Sequence, residues 1–283
     1  MKSTRKSIPW LLLAVVPATG IGSFIDAEAN TPAGENGKAT ARERGFSPPK
    51  DWMADPWTGS DTPFVTIRAE IGKISDQNQW SRPTLEGYRK QAASDPKDAA
   101  AQFRWGYAYY KARNDGFSFE APGKNSDTLL DVAWSLQQAP SPHSYEYTRL
   151  LFLVSALNTP AFLSPVGKRL MRHTPKDYDV EFCFYPSLLS SPSLADRKEA
   201  LLGAQNFIRE FPAKGGPYAA LAEVYTAQWE SGHFQSGALA LAAYQKYLSM
   251  PPKGLTPQNR EGLERWMNFI RTHPRGPKGP KIG

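Results

Sequence analysis

The sequence predicts an all-α chain, and three observations carry that prediction. Apolar residues recur at spacings of three and four through most of residues 64–273, which gathers them on one face of a helix. Prolines fall at 96, 142, 175, 212 and 252, each just after such a pattern, where a residue without an amide hydrogen ends a helix. Small residues alternate with rings: Gly106 and Ala108 stand between Trp105, Tyr107 and Tyr109. A small side chain lets two helix backbones approach while the neighbouring rings fill the space beside them.

Each proline closes a pair of predicted helices. The first members of the pairs are Phe64–Ile74, Asp98–Lys111, Tyr145–Leu157, Tyr178–Leu189 and Pro217–Trp229. The second members are Thr84–Ser94, Thr128–Gln138, Ser164–His173, Ala195–Phe211 and Ala238–Met250. Pro186 lies inside the fourth first helix and should kink it or end it early. A last helix, Pro257–Arg271, places Leu263, Trp266, Met267 and Ile270 on one side, as expected of an element that covers an otherwise open apolar face.

The ends read differently. Lys2, Arg5 and Lys6 precede an apolar run from Ile8 to Val16, and Ala27-Glu28-Ala29 supplies small residues at a cleavage spacing. Residues 1–29 therefore read as a secretory signal peptide, which predicts an exported, periplasmic or extracellular protein. An uncleaved amino-terminal anchor is the competing reading. Residues 30–63 read as a flexible linker, interrupted by the island Asp51–Trp57, which is apolar enough to pack across the first helices as a lid. Residues 274–283 are a basic, Pro/Gly-rich tail. The net charge of +7 is concentrated at the ends, with four bases and no acid from Arg271 onward. That distribution argues against a specific nucleic-acid surface. Cys183 is the single cysteine, so no intramolecular disulfide forms, and flanking Phe182 and Phe184 predict its burial.

The stretch Thr84–Lys111 carries a family resemblance. Leu85, Tyr88 and Ala92 at helical spacing, the Asp95-Pro96 stop and the small-and-aromatic helix that follows resemble the junction of two tetratricopeptide repeats. The proline intervals of 46, 33, 37 and 40 residues suit a unit of about 34 residues with loop insertions. The resemblance covers residues 64–273 and implies a right-handed α-solenoid of antiparallel helix pairs. In it, Ile71-Gly72 falls at the family's large-small pair, favouring helix for Phe64–Ile74 over the strand that Val65-Thr66-Ile67 would also suit.

The resemblance further implies that first helices line a concave face that binds a protein or peptide partner. It places Phe103, Tyr107 and Tyr110 inward on the second pair, Thr148, Phe152 and Ser155 on the third, and Tyr185 on the fourth. Phe103, Tyr107, Tyr110 and Phe152 are then the expected apolar anchors. Phe103 and Tyr107 stand where relatives that clamp a peptide carboxylate use Lys and Asn, so that role is not expected. Arg104 and Arg149 hold equivalent places in consecutive repeats, where each either takes an acidic ligand group or pairs with a local acid such as Glu146.

Motifs for chemistry are missing from the sequence. It holds no His-Glu-x-x-His, no Gly-x-Ser-x-Gly, no phosphate-cradling glycine loop and no cysteine pair, and His143, His173, His233 and His273 each stand alone. No enzyme activity, cofactor or metal is therefore expected. Two alternatives stay open: a glycan-binding groove that uses an exposed ring such as Trp229, and a helical enzyme of unrecognised type. The insertion 113–125, with two phenylalanines, is the first candidate for a binding loop.

Overall fold

The computed structural model describes residues 57, 59–117, 125–139, 143–155, 160–190, 193–252 and 254–277. The predicted signal peptide, most of the linker, the middle of the 113–125 insertion and the end of the basic tail lie outside them. Among the described residues the protein is all-helical, with no strand. The helices are α1 (Thr62–Asp76), α2 (Arg82–Ser94), α3 (Ala99–Asn114), α4 (Asn125–Gln138), α5 (Tyr145–Ser155) and α6 (Pro160–His173). They continue as α7 (Tyr178–Ser187), α8 (Leu194–Glu210), α9 (Gly216–Glu230), α10 (Ser236–Ser249) and α11 (Pro257–Thr272). No helix among the described residues is long and apolar enough to cross a membrane.

Local chemistry sets most of these boundaries. Asp98 caps α3 by accepting from the amides of Ala100 and Ala101 at 2.9 and 3.1 Å, and Ser81, Asp177, Ser193 and Thr256 cap α2, α7, α8 and α11 in the same way. Such a cap satisfies amides that have no intrahelical acceptor. At the other end of α2, Asp95 is extended, because the following proline disfavours helical backbone before it. The segment Phe64–Ile74 is helix, inside α1, and buries Phe64, Ile67 and Ile71; helical spacing outweighs its β-branched composition. Pro186 ends α7 one residue later, and a short 3₁₀ turn, Leu188–Ser190, follows. Replacing Asp98 with alanine should cost about 1 kcal/mol, visible as a lower urea midpoint with an unchanged slope.

Neighbouring helices tie their ends together through buried polar side chains. Gln102 on α3 donates to the carbonyls of Ala92, at 2.6 Å, and Asp95, at 3.3 Å, and accepts from Ser135 on α4. Tyr147 on α5 donates to the carbonyl of Leu136 at the end of α4, at 2.9 Å. In both cases a side chain of the next first helix satisfies carbonyls that the preceding helix leaves open.

Each helix packs on its successor, except that α1 packs chiefly on α3. The first helices also touch one another in a row, α1 on α3, α3 on α5, α5 on α7 and α7 on α9. At the centre is α5, buried along its whole length from Tyr145 to Ser155. Gly106 shows why a small residue is needed in α3. A Cβ there would stand 3.1 Å from Val132 and 3.3 Å from Leu136 and Leu150, so α4 and α5 both press on the α3 backbone. One apolar core runs through α1–α8, and a second joins α9, α10 and α11. Helix α9 serves both, with Ala220 and Val224 in the first and Ala219, Ala222 and Trp229 in the second.

The amino-terminal approach to α1 is docked. Trp57 packs edge-on against Tyr145, with centroids 5.8 Å apart, and the Arg169 guanidinium lies 3.5 Å from the Trp57 ring centre. The amide of Gly59 donates to the His143 carbonyl at 3.0 Å, and Asp61 accepts from the amide of Glu146 and the hydroxyl of Ser144. The end of the Trp-containing island thus seats on the start of α5 and on α6.

Candidate functional site

The residues that the sequence nominates sit on the row of first helices, and the fold separates them into two groups. The rings belong to the core. Phe103 and Phe152 have no exposed surface, and Tyr107, Tyr110 and Tyr185 are each exposed by less than a tenth. Phe103 stacks on Tyr107 at 5.8 Å and packs against Phe64 at 4.9 Å, so it joins α3 to α1. Phe152 presses on Gly167 of α6, where an added Cβ would lie 3.1 Å from its ring. In this arrangement Phe103 and Phe152 hold helices together and offer a partner no surface, in contrast to the anchor role expected of them. Thr148 and Ser155, also placed inward, are buried. Trp229, expected as an exposed ring for a sugar, is fully buried and donates its indole N–H to the His273 carbonyl at 3.1 Å.

The two arginines have different fates. Arg149 is buried in α5, where Nε donates to Asp177 Oδ2 at 2.6 Å and Nη2 to Asp177 Oδ1 at 2.9 Å. Nη2 also reaches Asp179 Oδ2 at 2.8 Å. Burial opposes its charge, but the aspartates outweigh that and hold it firmly protonated. Burial likewise works against the Asp177 carboxylate, and Arg149 more than compensates, leaving Asp177 below its ordinary range. With two carboxylates already on it, Arg149 has little left for a ligand. Glu146, the local acid considered for either arginine, instead pairs with Arg68 of α1.

Arg104 is the arginine that stays accessible. Its side chain is about a third exposed and meets Glu70 of α1 at 3.1 Å, itself more than half exposed. Two residues before Glu70, Arg68 pairs with Glu146 and lies 6.0 Å from the centre of the Tyr107 ring. Glu70 and Arg104 thus form a partly exposed ion pair where α1 meets α3, while on the other flank of the buried α1 stripe, beside the nearly buried ring of Tyr107, the second partly exposed cation is Arg68. Below it Glu146 is buried, and its second oxygen has no hydrogen-bond partner among the described residues. Sequence reasoning found Arg104 and Tyr107 but missed Arg68 and Glu70. The signal was available only as the spacing that puts Arg68 on the same side of α1 as the buried Ile67 and Ile71 edge.

Cys183 is buried and free, and burial pushes its thiol well up, away from the reactive thiolate. Among the described residues no group of three or more His, Cys, Asp or Glu side chains is placed to hold a metal ion. No protein-family model matches the chain, and neither a curated protein nor a solved structure matches it.

Proposed function

We propose that the helices form a right-handed α-solenoid of antiparallel pairs resembling tetratricopeptide repeats, and that the chain is an exported scaffold that binds a protein or peptide partner. The observation that carries this reading is the unbroken row of first helices, α1, α3, α5, α7 and α9, each in contact with the next. Such a row is the packing expected of a repeat array; α5 within it is buried from end to end, so the surface open to a partner lies at the α1–α3 edge. The contact residues are Glu70 and Arg104, with Arg68 of α1 as a second partly exposed cation, because these keep polar atoms within reach of solvent while Arg149 is saturated. An acidic side chain of the partner would take the place of Glu70 on Arg104, since exposed ion pairs are worth little and exchange readily.

The test is retention of the partner by the full chain from the envelope or secreted fraction of its own cells, compared with Arg104→Glu. The charge reversal should cut retention at least roughly tenfold, the order expected for loss of a charge-assisted contact, while leaving the circular-dichroism spectrum intact. Equal retention by both proteins would remove Arg104 from the interface.

A further inference from the structure

The α9–α10 junction holds an acid where no counter-charge reaches it. Glu223 on α9 is about 6 % exposed. Its Oε1 accepts from the Tyr244 hydroxyl of α10 at 2.9 Å, and Tyr244 in turn lies 3.3 Å from the Thr226 hydroxyl. Helix α9 packs against α7, α8 and α10. The charged group bearing on the Glu223 carboxyl is Glu230, two turns further along the same face of α9, and its sign is the same. Tyr244 is the titratable group that faces it from α10, and α7 and α8 place no lysine, arginine or histidine on it. A buried carboxyl with one neutral donor and a like charge for company is far more stable protonated than ionised.

We propose that Glu223 is held as the neutral acid in the folded α9–α10 junction, and that its ionisation on alkalinisation loosens α9–α11, making this end of the protein a pH-responsive element. The inference is independent of the partner site on α1 and α3. Burial pushes Glu223 up to about 8 and Glu230 up to about 7. Glu181 on α7 is also pushed up to about 7, by burial and by the neighbouring Glu210. Because the folded value lies above the unfolded one, the folded state holds the proton more tightly. The stabilisation is complete below the ordinary glutamate range and is lost as pH rises towards 8. Asp177, held low by Arg149, acts in the opposite sense and only at acid pH.

Urea unfolding of the full chain at pH 5.5, 7 and 8.5 tests this against Glu223→Gln, which keeps the shape and the Tyr244 contact without the charge. From pH 5.5 to 8.5 the unfolding constant of the unaltered protein should rise at least about tenfold more than that of the variant. Glu181 contributes equally to both and drops out, and Glu230, which ionises while Glu223 is still protonated, adds nearly the same to each. Hydrogen exchange, corrected for the intrinsic pH dependence, should show the loss of protection in α9–α11 and not in α2–α4. Parallel pH profiles for the two proteins would overturn the proposal. If Glu223→Gln does not fold, carbon-13 titration of the Glu223 carboxyl in the unaltered chain decides. A midpoint in the neutral-to-alkaline range supports the proposal, and one between 4 and 5 overturns it.

Discussion

Arg149→Ala is expected to destabilise the protein by about 3–5 kcal/mol, the range for breaking a buried ion pair from one side. The size follows from what is left behind. Asp177 would keep its carboxylate in the interior with only neutral donors, the Tyr145 hydroxyl at 3.2 Å and the amides of Asp179 and Val180. Those two amides are the cap of α7, so the loss spreads from the α5–α7 contact to the start of the next helix. Urea denaturation at neutral pH measures it. The pH dependence supplies a second check. Asp177 lies below its ordinary range in the folded protein, so the pair contributes fully above that range and its contribution fades as pH falls through it. The gap between the variant and the unaltered protein should therefore narrow in acid. A gap that is constant with pH would mean that Arg149 acts by packing alone.

Gly254→Ala should cost about 1–3 kcal/mol, as inserting bulk into a filled contact commonly does. Gly254 lies in the loop between α10 and α11 and rests on the carboxyl end of α3. A Cβ there would come within 2.3 Å of the Asn114 carbonyl oxygen and 3.2 Å of the Gly116 amide. Gly116 has a φ of +81°, a conformation that glycine adopts without penalty, and it turns the chain under that loop. The obstacle is backbone on both sides, so no side chain can swing away to relieve it. Besides the drop in stability, hydrogen exchange should accelerate at Asp115, Gly116 and Phe117, whose amides close the end of α3. Gly87→Ala is the control. Gly87 sits within α2 with open space around it, so alanine there should be neutral or stabilising by up to about 1 kcal/mol.

The helices were legible because their signals are local. A capping Asp or Ser, an apolar stripe and a proline after it all lie within one element, and tertiary packing did not override them. The all-helical character and the positions of α1–α11 follow from such signals, down to the early end of α7 at Pro186. Exposure was harder to read. The spacing of Phe103 and Tyr107 puts them on one face of α3 but does not say that α1 and α5 cover that face. The same applies to Trp229, whose ring is enclosed by Trp266 and Phe269 of α11, with centroids 6.3 and 6.1 Å away. The resemblance assigns Arg104 and Arg149 equivalent positions. Only the fold brings Asp177 and Asp179, nearly thirty residues downstream, onto the second. An arginine's freedom depends on acids that are distant in sequence, and periodicity carries no information about them.

The claim that the Glu70–Arg104 pair between α1 and α3 receives a protein is tested most directly by a photo-crosslinking residue at Thr66. This position is exposed on α1, one turn before Glu70 and on the same side of the helix, and the full chain would be expressed in its own cells. The same residue placed at Ala242, exposed on α10, serves as the reference. A discrete protein adduct is expected from position 66, absent from position 242 and lost when Arg104→Glu is added. No adduct at position 66, or the same adducts at both positions, would contradict the claim.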